Sequence, residues 1–240
     1  MFEGLFIADL HYSKARREPC LQVLEKVHDF IMKTGDSGER CPLFICGDFF
    51  DSAMTATDNS GYADALDMMD RINYRADVFM VYGTPTHEPS GILKAFECMK
   101  INVFDKNTYK VIRSGKSLFE LVALPEPRKS NYVSKGKDVN AIINREFEEF
   151  INSIPERSEL PRIVIGHGEI CGISYSNAIL ANSPTAFPPS KLKKLNADFY
   201  GFGHIHQKQE VFKNCWYIGS PYQKSFSETH DPSMFYVEVK

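Results

Sequence analysis

Five short stretches carry most of the residues that could do chemistry: "ADLH" (8–11), "GDFFD" (47–51), "THE" (86–88), "GH" (166–167) and "GHIH" (203–206). Carboxylates and imidazoles are the groups that bind divalent ions and pass protons near neutral pH. A mixed set of this kind suits Mn, Fe or Zn, with less preference for Mg or Ca. Hydrolysing a phosphate ester needs a nucleophile drawn from water and neutralised phosphoryl oxygens. Two divalent ions about 3.5–4 Å apart can supply both. Such a pair needs one bridging carboxylate, and Asp48 stands at the centre of the set. Residues spaced D-x-H on an extended chain face the same way, which lets Asp9 and His11 grip one ion together. His204 and His206 share that spacing. Taken singly, "GD" and "GH" are ordinary turn dipeptides; the order D-x-H, G-D-x-x-D, H-E, G-H, G-H-x-H carries the metal reading. Asp51 fits either a further acid or a residue that orients a neighbour.

Each cluster follows an apolar run: "GLFIAD" (4–9), "PLFICGD" (42–48), "DVFMVYG" (77–83), "PRIVIGH" (161–167) and "ADFYGFGH" (197–204). Runs this apolar, bounded by turn residues, suit strands buried on both faces. Helical spacing lies between several of them. Leu21, Leu24, Val27, Phe30 and Ile31 predict a helix over 19–33, and Ala63, Leu66, Met69 and Ile72 one near 61–74. Ile142, Ile143, Phe147, Phe150 and Ile151 mark a third. Strands alternating with helices imply right-handed βαβ units and a mostly parallel sheet. Ligands then collect outside the carboxyl ends of the strands, where five of the seven histidines fall. In the last third, "QKQEVFKN", "CWYIGSP" and "SMFYVEVK" read as short strands of a second, partly antiparallel sheet. "PEPRKSNYVSKGKD" (125–138) reads as a mobile surface loop. One domain spanning 1–240 is expected.

Composition narrows the function classes. Hydrophobic residues are 43% and charged residues 25% of the 240, ordinary values for a globular chain. A net charge of -3 gives no global basic field for nucleic acid, although a local patch can act within a Debye length. The six cysteines stand singly with no CxxC pair, which argues for reduced thiols. No apolar run is long enough to cross a bilayer and the N-terminus has no signal-peptide pattern, so a cytoplasmic setting without membrane contact is expected.

In these five stretches the chain resembles the calcineurin-like metallophosphoesterases. That resemblance implies a four-layer α/β/β/α sandwich of two mixed β-sheets flanked by helices. It further implies a dinuclear centre with one ion on Asp9, His11 and His206 and the other on His167 and His204, bridged by Asp48. His87 would protonate the leaving group. Thr86 stands where the family carries an asparagine that gives a neutral oxygen to the second ion; a threonine hydroxyl is also neutral and can ligate hard ions. "GDFFDS" (47–52) and "CWYIGSPYQKSFSE" (215–228), with "FYVEVK" after it, are similar to the SbcD-type DNA repair nucleases. The chain stops where those nucleases continue into a capping region and a segment for an SbcC-type ATPase partner.

The expected activity is a Mn-dependent nuclease, exo or endo, acting on DNA without sequence preference. Lys14, Arg16 and Arg17 beyond His11, and Arg128, Lys129, Lys135 and Lys137 in one loop, would meet backbone phosphates. A small-molecule phosphatase or phosphodiesterase on the same site is the alternative, a non-catalytic scaffold a third. A homodimer is compatible with all of them.

Overall fold

Strand β1 (Phe2–Ile7) sends Phe2 and Phe6 to one side and Leu5 and Ile7 to the other, every one of them buried. The same alternation runs through β2 (Leu43–Cys46) and β3 (Val78–Val81). Apolar residues on both faces of a strand need a layer on each side, and this chain supplies them. In the computed structural model, which describes residues 1–34, 40–52, 59–135, 138–175, 178–179, 185–225 and 228–240, two sheets pack face to face between helices. The first sheet runs in the order β13-β1-β2-β3-β4, with β4 at Asn102–Phe104 and β13 at Phe235–Val239. Its β1 to β4 are parallel and β13 is antiparallel to β1.

The second sheet has the order β11-β12-β10-β7-β6-β5. Its strands are β5 (Thr108–Ser114), β6 (Ser117–Leu124), β7 (Arg162–His167), β10 (Phe199–Gly203), β11 (Gln209–Phe212) and β12 (Cys215–Tyr217). The central four are parallel and the two edges antiparallel. In a separate two-stranded sheet, β8 (Ser174–Tyr175) pairs antiparallel with β9 (Ala178–Ile179).

Between the sheets lies an aromatic core in which Phe44 stacks on Phe6 at 4.5 Å and on Phe79 at 5.3 Å. Helices α1 (Arg17–Thr34) and α2 (Asn59–Arg75) cover the far face of the first sheet through Val23, Leu24, Val27, Met69 and Ile72, and the short α3 (Lys94–Cys98) adds Phe96. Helix α4 (Val139–Ser153) starts where Asp138 accepts a hydrogen bond from Ala141 N, and packs Phe147 and Ile151 on the second sheet. Leu192 of α5 (Pro189–Lys194) completes that layer. The result is the expected four-layer sandwich.

The structure corrects three readings of the sequence. β13 joins the first sheet, not the second, because "FYVEVK" pairs along the exposed edge of β1. The second sheet is not confined to the last third: the β5–β6 hairpin and β7 belong to it. Residues 125–135 are no free loop. Arg128 is buried there and Lys129–Lys135 forms a 3-10 turn, while Lys137 lies outside the described residues.

Candidate metal centre

Parallel β1, β2 and β3 end at the same edge as parallel β6, β7 and β10, so six strand ends converge between the two sheets. Close approach there depends on glycine. A Cβ on Gly203 would lie 2.1 Å from Cys46 O, and one on Gly83 2.2 Å from Asp48 N and Oδ1. Beyond the strands the backbone leaves extended geometry. Asp9, His11, Asp48 and His204 have φ of 54°, 47°, 49° and 101°. Non-glycine residues held in that region cost of order 1–3 kcal/mol each and gather at functional sites. Asp9 and His11 therefore come to one side through left-handed turns, not through the extended alternation expected of D-x-H. Backbone bonds hold those turns: His11 N donates to Asp48 O at 2.9 Å and Tyr12 N to Phe49 O at 2.7 Å.

The side chains form linked clusters. Asp9, His11 and His206 make one, and Asp9, Asp48 and His167 another. His11, Asp48 and His87 make a third, and Glu126, His167 and His204 a fourth; within each, one ligand atom per residue lies within 4.8 Å of the others. Asp48 joins the two sides, with Oδ2 3.4 Å from His167 Nε2 and 3.8 Å from His11 Nε2, while Oδ1 accepts from Thr84 N at 2.6 Å. Burial opposes its charge, but His167, His11 and His87 outweigh that and hold Asp48 well below the usual carboxylate range. Asp9 accepts from His204 N at 2.9 and 3.1 Å, tying the first sheet to the second.

Three of the histidines are oriented by their Nδ1. His167 Nδ1 donates to Cys46 O at 2.8 Å, His206 Nδ1 to Glu228 at 2.7 Å, and His87 Nδ1 to the Asp51 carbonyl, which leaves each Nε2 for other work. His11 Nε2 then faces His206 Nε2 at 3.0 Å. Neither tautomer of His11 satisfies this arrangement. With the proton on Nδ1, two lone pairs confront each other. With it on Nε2, the Nδ1 lone pair faces Asp51 Oδ1 at 3.3 Å, and Nδ1 has no aligned hydrogen bond in either case. A divalent cation bound between the two rings would resolve the conflict, because both Nε2 lone pairs could then point at it. Burial lowers the His11 pKa and favours the neutral imidazole an ion requires. For His167, burial opposes the imidazolium, but Asp48, Asp9 and Glu126 override it and hold the pKa up to about 10; the negative site draws positive charge. The donor set fits divalent ions.

A model of the calcineurin-like phosphoesterases matches residues 5–208, from β1 to just beyond His206. The chain belongs to this family. Among solved structures, this metallophosphoesterase is similar to GAP50, the anchor in the inner membrane complex of Plasmodium, at 12% identity and a TM-score of 0.55, over 98% of this chain and 78% of that one. It is also similar to a dimetal phosphatase from Danio rerio, at 10% identity and a TM-score of 0.46, over 90% and 85%. A search of curated proteins finds no match. The family is dinuclear, which agrees with clusters on either side of Asp48.

Not every residue expected at the metallophosphoesterase centre sits there. Thr86 is exposed on the turn after β3, whereas Thr84 sits inside, its Oγ1 3.3 Å from His167 Nε2 and 3.2 Å from Glu126 Oε2. The physical reason is the two extra residues between Gly83 and His87: the first residue after Gly83 is the one whose backbone N donates to Asp48. Glu88 is fully buried and takes no part in the four clusters. It accepts hydrogen bonds from Phe49, Phe50 and Gly83 N, with its pKa pushed up to about 7 by burial and by Asp48. Asp51 contacts His11 Nδ1 at 3.3 Å, Arg16 at 2.7 Å and Lys224 at 3.1 Å.

The expected rim cations are largely engaged. Arg17 pairs with Asp64 of α2 at 2.5 Å. Arg128 is buried, donating to the Glu88 carbonyl and covering the Tyr82 ring at 4.6 Å, so it braces the β3 turn and does not face solvent. Lys14 and Lys129 are exposed. Glu126 and Glu228 escaped the sequence reading. Glu126 ends the apolar run of β6, the same signal as the other strand ends, obscured by flanking prolines; Glu228 has no local signal, since only folding brings it to His206.

Proposed function

We propose that residues 1–240 act as one catalytic domain that hydrolyses phosphodiester bonds of DNA with two divalent ions, Mn in preference to Fe, Zn or Mg. The observation that carries the hydrolytic part is the Asp48 carboxylate, set between His11 and His167 with His87 beside it. Asp9, His11 and His206 would hold one ion, and His167 and His204 the other. Two bound ions would neutralise phosphoryl oxygens and activate water near neutral pH. The protein's own residues do the rest. His87, fixed through Nδ1 on the Asp51 carbonyl, presents Nε2 to hold or pass a proton to the leaving oxygen. Asp51 keeps His11 and Arg16 in register.

The DNA reading rests on the segment similar to SbcD-type nucleases. Ser220 Oγ donates to Tyr222 O at 2.7 Å and lies 3.2 Å from Asp9 O, Tyr222 OH donates to Leu10 O at 2.9 Å, and Ser220 N donates to His206 O. "YIGSPY" thus buttresses the turns that carry Asp9 and His206. Exposed Lys14 and Lys129, with Arg16 held by Asp51 at 2.7 Å, would be the cations to meet a phosphate backbone. Free thiols at all six cysteines, and the lack of any described helix long and apolar enough to cross a membrane, accord with work in the cytoplasm. An SbcC-type ATPase and a second copy of the chain are the partners this reading allows.

A small-molecule phosphatase is the second reading, favoured by the engagement of Arg17 and Arg128 within the protein. Purified protein with Mn²⁺, offered labelled single- and double-stranded DNA beside a chromogenic phosphomonoester and diester, separates the two. DNA degradation abolished by Asp48→Ala supports the nuclease. Monoester turnover with intact DNA supports the phosphatase, and inertness in every metal tested points to a scaffold.

A further inference from the structure

Glu126 closes the second-sheet side of the centre in a way the other strand ends do not. From the turn after β6 its Oε2 lies 3.2 Å from Thr84 Oγ1, 3.7 Å from His204 Nδ1 and 3.8 Å from His167 Nε2. Because Cys46 O can only accept, His167 Nδ1 donates to it and the ring aims its Nε2 at this point. The Thr84 hydroxyl has one proton, donated to Glu126, so its lone pairs also face His167. A hydroxyl oxygen and two imidazoles thus converge within 3.8 Å of Glu126 Oε2. Glu126 and His204 keep about a quarter of their side chains exposed, at 23% and 27%, enough for an ion to enter.

We infer that Glu126 is a direct ligand of the second divalent ion, beside His167, His204 and Asp48, with Thr84 as its neutral neighbour. The inference rests on the two-ion reading above and adds to it. With Glu126 the second site holds two carboxylates where one would bridge alone. That favours hard divalent ions and supplies oxygen donors on the side where Thr84 offers only a short side chain. Glu169, whose Oε1 is 4.0 Å from His204 Nε2, lies beyond this shell and serves as the control.

The test is ion stoichiometry on the full chain, stripped with chelator and titrated with Mn²⁺ by calorimetry, with electron paramagnetic resonance to detect a coupled pair. Wild type is expected to bind two ions. Glu126→Gln and Glu126→Ala should retain one tight ion, weaken the other by at least about tenfold and lose the coupled signal. Glu169→Gln should match wild type, and the ion-free melting temperatures of all four proteins should agree. Two ions bound to both Glu126 variants with wild-type affinities would overturn the assignment of Glu126 while leaving the two-ion reading intact. A wild type that binds fewer than two ions overturns both.

Discussion

His11 Nε2 and His206 Nε2 face each other across 3.0 Å, and Glu228 fixes the second of them from behind at 2.7 Å. Two imidazoles from opposite ends of the chain are held in ligand geometry, so bound ions should stabilise the fold. Saturating Mn²⁺ at about 100 times its dissociation constant should add about 2.7 kcal/mol and chelation should remove it. Differential scanning calorimetry with and without chelator reads this directly. Glu228→Gln should weaken ion binding by about 10–100-fold by freeing the His206 ring. An unchanged melting temperature on chelation would count against any resident ion.

His87, braced by the Asp51 carbonyl, stands apart from the other four strand-end histidines in being assigned no ion. His87→Ala is expected to lower kcat about 10²–10⁴-fold while leaving the Mn²⁺ stoichiometry at the wild-type value. Steady-state kinetics paired with titration calorimetry checks both halves. Loss of an ion together with activity would move His87 into the ligand set.

The two threonines after β3 should behave oppositely. Thr84→Val removes a hydroxyl that lies between His167 and Glu126, and is expected to weaken the second ion. Thr86→Val alters an exposed side chain and should leave ion binding and activity within error of wild type. Parallel Mn²⁺ titrations of the two variants decide the matter, and an effect confined to Thr86→Val would reverse the assignment.

Away from the centre, Arg162 Nε meets Glu120 Oε2 at 2.5 Å with both side chains 3% exposed, and Ser158 and Tyr109 donate to the other oxygen. Burial opposes the Glu120 carboxylate, but these partners outweigh it and hold its pKa below the ordinary value. A depressed carboxylate stabilises the fold above the unfolded pKa of about 4.3, and that contribution disappears as pH falls through the lower folded value. Urea unfolding of wild type should therefore weaken below about pH 4.3 more steeply than that of Glu120→Gln. Arg162→Met, which strands a buried charge, should cost about 3–5 kcal/mol at pH 7. Curves for wild type and Glu120→Gln that stay parallel down to acid pH would remove Glu120 as a source of acid lability.

Local sequence carried much of this protein. Apolar runs fixed β1, β2, β3, β7 and β10, because a strand between two layers must be apolar on both faces, and periodicity placed α1, α2 and α4 within a few residues. The strand-end acids and histidines were legible for the same reason: parallel strands send their carboxyl ends to one edge. What lay beyond local signals was decided by tertiary packing. Nothing in "FYVEVK" says which sheet it will join, since edge pairing depends on which partner is left open. The composition of "PEPRK" looks like a loop, yet Arg128 is buried against Tyr82 and Glu126 is turned onto His204. Only the fold distinguishes Thr84 from Thr86, because the direction of a side chain in a turn is set by backbone bonds to Asp48 from another strand. Residue types and order along the chain determined that ions could bind here; the meeting of two sheet edges determined which atoms can reach them.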